Sequence, residues 1–363
     1  MLLGYRAPVP GNSSRFFKSK SDALSQKEGE VNIALHEGDR YVYNETFDES
    51  LIKHDSNYVT TSVNIKLERQ IPTLAYFQNS IAKFLPANSK IIDIGCGQGE
   101  LVRSLTKMGG DWSVSGYDPV LRIPSPNIIP RYWTVDDELA DLYIMRCVLP
   151  HLEDPWSFLD MIAAASPGGL VLVEYQRLEW ILTHDIWFQI SHDHVNLFRE
   201  EDFRRRFELL ASGTFANDAW QWVLVRLSDS NDFPGDTEDK SSLKIGEAFS
   251  KLASVRGNFL AGVVALDAPI AIWGTAGKGI VLAHAIAAKR DQLDAIDAGQ
   301  DRWGLHLEGS GARVQAPTEA MHSMHPSTRV LVVNPNHYGE IFSFIAGRFR
   351  VELVSNVGNH PSR

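Results

Sequence analysis

Apolar positions change their spacing along this chain, and the changes separate helices from strands. At Ile71, Leu74, Phe77, Ile81 and Phe84 they recur every three or four residues and stop before Pro86, which predicts a helix over Leu67–Phe84. Compact apolar runs between turn residues then predict strands at Lys90–Ile94, Trp112–Tyr117, Leu142–Met145 and Leu170–Glu174. Amphipathic stretches at Glu100–Met108 and Trp156–Ala165 predict helices among them. A helix-like Glu201–Leu210 and an alternating Trp220–Leu227 close this stretch. Strand and helix in alternation call for a mostly parallel sheet covered by helices.

The pattern weakens at both flanks. Residues 1–30 are rich in Pro, Gly, Ser and Lys and read as a poorly ordered tail. Val31–Ser62, with Tyr41, Tyr43, Phe47 and Tyr58, reads as short strands or a lid. The acidic, turn-rich Ser228–Ser242 has little to bury and reads as a linker. Beyond it a second α/β pattern begins: a helix ending near Leu266, strand Ile270–Trp273, loop Gly274–Gly279, helix Ile280–Lys289 and strand Leu293–Asp297. Helix Ala316–Ser323 and strand Val330–Asn334 continue it. The chain of 363 residues is too long for one core. Its expected parts are an N-terminal segment (1–66), a central domain (67–228) and a smaller C-terminal domain (243–363).

Composition narrows the chemistry. Lys+Arg 35 against Asp+Glu 45 gives a formal net charge of −10 with no basic run, which argues against nucleic acid and anionic membrane as partners. Two cysteines, Cys96 and Cys147, cannot build a disulfide framework or a thiolate zinc site, and they fit a reducing, cytoplasmic setting. No apolar run approaches the ~20 residues that cross a bilayer, and the first twenty residues lack a secretory apolar core.

The most informative segment is Ile91-Ile92-Asp93-Ile94-Gly95-Cys96-Gly97-Gln98-Gly99-Glu100, a strand entering a Gly-rich turn and then a helix. Glycine lets a ligand approach the backbone there. Its glycines alternate instead of following G-x-G-x-x-G, and Asp93 at the strand end would repel a phosphate. A carboxylate in that place suits a cation. The next strand ends in Gly116-Tyr117-Asp118-Pro119, where a carboxylate can grip ribose hydroxyls. These segments closely resemble motifs of class I S-adenosylmethionine-dependent methyltransferases. Asp141-Leu142-Tyr143-Ile144-Met145-Arg146-Cys147 and Pro167-Gly168-Gly169-Leu170-Val171-Leu172-Val173-Glu174 continue the resemblance in order. It implies a Rossmann-like methyltransferase domain with S-adenosylmethionine held by Asp93, Gly95, Cys96, Gly97, Gly99, Asp118, Pro119 and Arg146.

A second strand and Gly-rich turn, Ile270-Ala271-Ile272-Trp273-Gly274-Thr275-Ala276-Gly277-Lys278-Gly279, has a lysine where backbone N–H groups converge, which makes a candidate phosphate cradle at Gly277 and Lys278. With Leu293–Asp297, Val314–Pro317 and Val330–Asn334 it resembles the C-terminal Rossmann-like domain of sugar C-methyltransferases. That resemblance implies a second, smaller Rossmann-like α/β domain binding a nucleotide-linked ketosugar. It departs from the family at the N-terminus, where a cysteine-rich zinc module is usual and this chain has no cysteine before Cys96.

Methyl transfer to carbon or oxygen needs a base, and histidine titrates in the right range. The group Ser191-His192-Asp193-His194 follows the fifth strand of the central pattern. By resemblance, His194 stands at the family's base, Asp193 at its glutamate and Ser191 at its tyrosine, with His192 a substitute donor. At the fourth strand His151 alone persists from a family histidine pair, with Cys147 at the other position. No metal site is expected, because adjacent His192, Asp193 and His194 seldom converge on one ion. The implied reaction is C-methylation of a nucleotide-linked ketosugar; O-methylation of a hydroxyl and a cofactor-binding scaffold without catalysis are the alternatives.

Overall fold

The computed structural model describes residues 1–55, 57–59, 71–121, 124–227, 241–345 and 347–354. The chain opens with a strand. β1 (Leu2–Pro10) buries Leu3, Tyr5, Ala7 and Val9 while Leu2, Gly4, Arg6 and Pro8 face outward. This overturns the disordered reading of residues 1–30: their Pro and Gly content masked a period-two alternation that defines a half-buried strand. After β2 (Phe16–Phe17) and helix α1 (Lys20–Leu24), β3 (Glu28–Leu35) pairs antiparallel with β1 and then with β4 (Val42–Asn44). A short strand from the middle of the chain, β10 (Asn196–Leu197), completes this four-stranded sheet.

The predicted helix over Leu67–Phe84 is seen from residue 71; residues 67–70 lie outside the described residues. It runs as α2 (residues 71–76), widens into a π-helical turn at Phe77–Ile81 and tightens over Ala82–Phe84. Next come β5 (Ser89–Ile94), α3 (Glu100–Met108), β6 (Trp112–Tyr117), β7 (Ile128–Ile129), β8 (Leu142–Arg146), α4 (Pro155–Ala165) and β9 (Leu170–Gln176). Asp154 starts α4 by accepting the Ser157 N–H at 2.9 Å, with Pro155 at the first helical position. Helices α5 (Leu178–Thr183) and α6 (Glu200–Arg204) lead to the hairpin β11 (Glu208–Phe215) and β12 (Trp220–Arg226). The helix expected over Glu201–Leu210 therefore ends early. Its second half pairs as a strand against β12, and the cross-strand ladder outweighs local helical spacing.

The seven-stranded sheet has the order β11-β12-β9-β8-β5-β6-β7, with β12 antiparallel to its neighbours and β5 to β9 parallel. From β5 the chain moves to β6 on one side and returns to β8 on the other, so the topological switch point lies between β5 and β8. Ligands in open α/β sheets bind at the carboxyl ends of the strands flanking such a point.

The expected linker falls mainly on 228–240, outside the described residues, and Ser241 and Ser242 already belong to the 25-residue α7 (Ser241–Ala265). Then follow β13 (Ile270–Trp273), α8 (Lys278–Ala287), β14 (Asp294–Ile296), β15 (His306–Leu307), β16 (Val314–Gln315), α9 (Pro317–Ser323), β17 (Arg329–Val332), α10 (Tyr338–Ile345) and β18 (Arg350–Leu353). Five of these strands form a parallel sheet in the order β16-β14-β13-β17-β18, and β15 pairs with β2. One apolar core joins the N-terminal sheet to this C-terminal sheet through Tyr5, Phe249, Phe259, Ile280 and Leu331. Each such buried side chain contributes about 1.5–3 kcal/mol, so the N-terminal sheet is a built part of the fold. Among the described residues no helix is long and apolar enough to cross a membrane.

Candidate active site

Ile91, Ile92 and Ile94 are buried in the middle of the seven-stranded sheet, and that anchors the turn that follows. Gly97 and Gly99 both have positive φ, at 60° and 79°. A Cβ on Gly99 would lie 1.8 Å from Ile128 Cδ1, whereas one on Gly97 would meet nothing within 4 Å. The turn is thus packed tight on one side and open on the other. The Gly97 N–H donates to Asp118 Oδ2 at 2.8 Å, and Asp118 Oδ1 accepts from the Val120 N–H at 2.8 Å, so the carboxylate ending β6 braces the turn. Gly95 packs against Val148 and Pro119 is exposed. Cys96 turns its sulfur under Gly116, and burial pushes its thiol well above the usual range. Its Sγ–H donates to the Gly97 carbonyl of the turn at 3.8 Å.

Asp93 is 1% exposed, and neither of its carboxylate oxygens has a hydrogen-bond partner. Burial raises it to about 7; the Arg146 charge opposes this, while Glu174, Asp118 and Glu100 add to it. An enclosed carboxylate without a partner costs several kcal/mol unless a ligand supplies a donor or cation. Beside it, Arg146 ends β8 with an enclosed, unpartnered Nε; burial works against its charge, but Glu174 and Asp93 hold it charged. Cys147 follows with φ 57°, a strained conformation for a non-glycine residue, its N–H on the Glu174 carbonyl at 2.8 Å. An orphan carboxylate, a guanidinium with an unpartnered Nε and an open glycine turn braced by a second carboxylate fit a ligand carrying both an amino-acid end and a ribose.

Residues 67–210 match a family model described as a methyltransferase domain. That match takes in β5 to β9 and the Gly-rich turn after β5. Among solved structures, it is similar to the magnesium protoporphyrin IX methyltransferase of Synechocystis PCC 6803 with bound SAH at 15% identity, covering 47% of this chain and 90% of that one, with a TM-score of 0.35. A SAM-dependent methyltransferase from Archaeoglobus fulgidus is similar at 14% identity, covering 45% of this chain and 99% of that one, with a TM-score of 0.33. No curated protein matches the sequence.

The expected base group does not stay together: the His151 and His194 rings pair, while Asp193 and His192 bond elsewhere. His151, in the turn after β8, makes a 2.6 Å hydrogen bond through Nδ1 to the Asp193 carbonyl, and its ring meets that of His194 edge-on at 4.6 Å. Burial lowers His194 to about 4, with the His151 charge in the same direction and Asp193 and a Gln189 backbone hydrogen bond opposing. Asp193 is turned away from the neighbouring His194. Asp193 Oδ2 accepts from the Ser13 N–H at 3.1 Å and the Ser13 hydroxyl at 2.8 Å, and Oδ1 has no partner. Burial would raise Asp193, yet the charges of His194 and His151 and the hydroxyls of Ser191 and Ser13 keep it below its ordinary value.

His192 is not a donor toward an acceptor. Its Nδ1 bonds the Glu30 carbonyl at 2.9 Å and its Nε2 accepts the Asp48 N–H at 3.0 Å, so it staples the N-terminal sheet to the methyltransferase unit. Its neighbours lie far away in sequence, and for that reason its role could not be read there.

Sequence reasoning also passed over His54 and Tyr58, whose rings meet at 4.9 Å. Burial raises the Tyr58 phenol, the charges of Asp193, Asp118 and Cys147 add to this, and the Ser14 hydroxyl opposes it. Burial lowers His54, and His151 adds to this, while Asp193, Asp118 and Asp55 oppose it. Tyr58 belongs to the tyrosine-rich segment noted in the sequence, but that segment has no periodicity to single it out.

The second Gly-rich turn repeats the bracing of the first. Asp297, just after β14, accepts from the Thr275 N–H and hydroxyl, both at 2.7 Å, from the Gly299 N–H at 2.7 Å and from Arg302 at 3.1 Å. Gly277 has φ 50°, and a Cβ there would meet nothing within 4 Å. Lys278 opens α8 with its Nζ 5.7 Å from the centre of the Trp180 ring on α5, and burial lowers it to about 8. This lysine reaches from the start of α8 to α5, the helix that follows β9.

Proposed function

We propose that this methyltransferase acts on a small acceptor, a nucleotide-linked ketosugar, and methylates carbon. The observation that carries the reading is the His151–His194 ring pair, 4.6 Å apart beside the end of β8. A neutral imidazole can take a proton at once. When bound, S-adenosylmethionine supplies a methyl group on a sulfonium, ready for in-line displacement.

His194 accepts the proton from the carbon beside the ketone. The resulting enolate carbon would be the nucleophile toward the methyl group that S-adenosylmethionine supplies, and His194 would then release its proton to water. His151, fixed on the Asp193 carbonyl, orients its partner ring. Gly277 and Lys278 suit the phosphates of the acceptor, since an ammonium at the start of α8, next to an open glycine, favours an anion.

Deuterium exchange tests the reading. With candidate ketosugar nucleotides in deuterated water and S-adenosylhomocysteine present, the α-hydrogen is expected to wash out only when His194 is intact. A methylated product without wash-out would move the reaction to a hydroxyl acceptor. Cofactor binding with no methylated product from any candidate would make the chain a binding scaffold.

A further inference from the structure

Arg146 and Glu174 stand directly opposite each other in the β8–β9 register, and Asp93 lies opposite Ile144, two residues before Arg146. Side chains alternate faces with a period of two and neighbouring strands run ~4.8 Å apart, so the three charged residues line one face at the carboxyl end of three adjacent strands. It is the face whose lower rungs are Ile91, Leu142, Ile144, Leu170 and Leu172. Glu174 is fully buried, and its Oε1 accepts from the Thr73 hydroxyl at 2.5 Å and from the Tyr76 hydroxyl, both on α2. Tyr76 is itself stacked on Trp222 at 4.6 Å. None of these three residues belongs to the Gly-rich turn or to the histidine pair.

We propose that Glu174, clamped by Thr73 and Tyr76, is a positioning residue that fixes Arg146 beside Asp93, so that the two together read a zwitterionic amino-acid terminus, the methionine end of the cofactor. Asp93 receives the ammonium and Arg146 the carboxylate. A half-buried guanidinium flanked by two carboxylates on one face of the sheet needs its geometry set from behind, or it turns onto Asp93 and cancels the site. Glu174 supplies the counter-pull, and its own orientation comes from two hydroxyls on a helix that packs over the sheet. The proposal rests on the cofactor reading of the Gly-rich turn.

Two ligands with the same nucleoside and thioether separate this role from a structural one: S-adenosylhomocysteine, with the amino-acid end, and 5′-methylthioadenosine, without it. Calorimetry on full-length Glu174→Gln, which keeps the hydroxyl partners and loses only the charge, is expected to show S-adenosylhomocysteine affinity down about 10–100-fold with 5′-methylthioadenosine unchanged. Tyr76→Phe, which keeps the charge, is expected to shift the same ligand about 3–10-fold, and it serves as the test if the first variant does not fold. Equal losses for both ligands, or an unchanged S-adenosylhomocysteine affinity, would overturn the proposal. Wild-type protein binding neither ligand would overturn the cofactor reading beneath it.

Discussion

Replacing Asp93 with alanine is expected to weaken S-adenosylhomocysteine binding about 100-fold, since removing one member of an enclosed charge pair costs about 2–5 kcal/mol. The cost falls on binding and spares the fold. With its folded-state value raised to about 7 from an ordinary 3.8, Asp93 favours the native state only while protonated. That contribution is complete at acid pH and is lost as pH rises through about 7, so at pH 8 the ionised side chain destabilises the empty protein. Asp93→Ala should therefore show no fall in Tm at pH 8, where an ordinary core truncation would lower it. The same ionisation shapes wild-type binding. An ammonium ligand requires the carboxylate form, so affinity should decline by up to about tenfold per pH unit below 7, and the alanine variant should lose that slope. Calorimetry across pH checks both.

His194→Ala is expected to lower kcat about 10²–10⁴-fold, the usual contribution of a positioned base, while leaving S-adenosylhomocysteine affinity within about twofold. The split matters because the His194 ring lies against His151, and not against the Gly-rich turn. If cofactor affinity fell with kcat, the histidine pair would belong to the cofactor site. His192→Ala makes the informative contrast. Its nitrogens are committed to the Glu30 carbonyl and the Asp48 N–H, so its loss should appear in Tm before it appears in kcat.

The two Gly-rich turns and the carboxylates near them were legible because each is a local event: a buried strand, a glycine that must take positive φ, and a helix start within about ten residues. Asp93 could be named for the same reason, since its position at the strand end follows from the count of apolar residues before it. What could not be read depends on distant partners. β1 alternates plainly at Leu3, Tyr5, Ala7 and Val9, but prolines and glycines at the same end of the chain pointed to disorder, and the partner that buries the strand, α7, begins more than two hundred residues later. Asp193 looked like the partner of His194, its neighbour in sequence, yet its carboxylate is turned to Ser13, 180 residues away. The clamp of Glu174 by Thr73 and Tyr76 spans 101 and 98 residues, and only the folded sheet brings its parts together.

The central claim is that the turn after β5, with Asp93 beneath it and Asp118 beside it, is where the cofactor sits. A crystal structure of the full chain with S-adenosylhomocysteine tests it most directly. The account predicts a ligand lying along Gly95–Gly99, with its ammonium toward Asp93 and its ribose toward Asp118. A ligand bound anywhere else on the chain, or a saturated crystal with nothing along that turn, would contradict it.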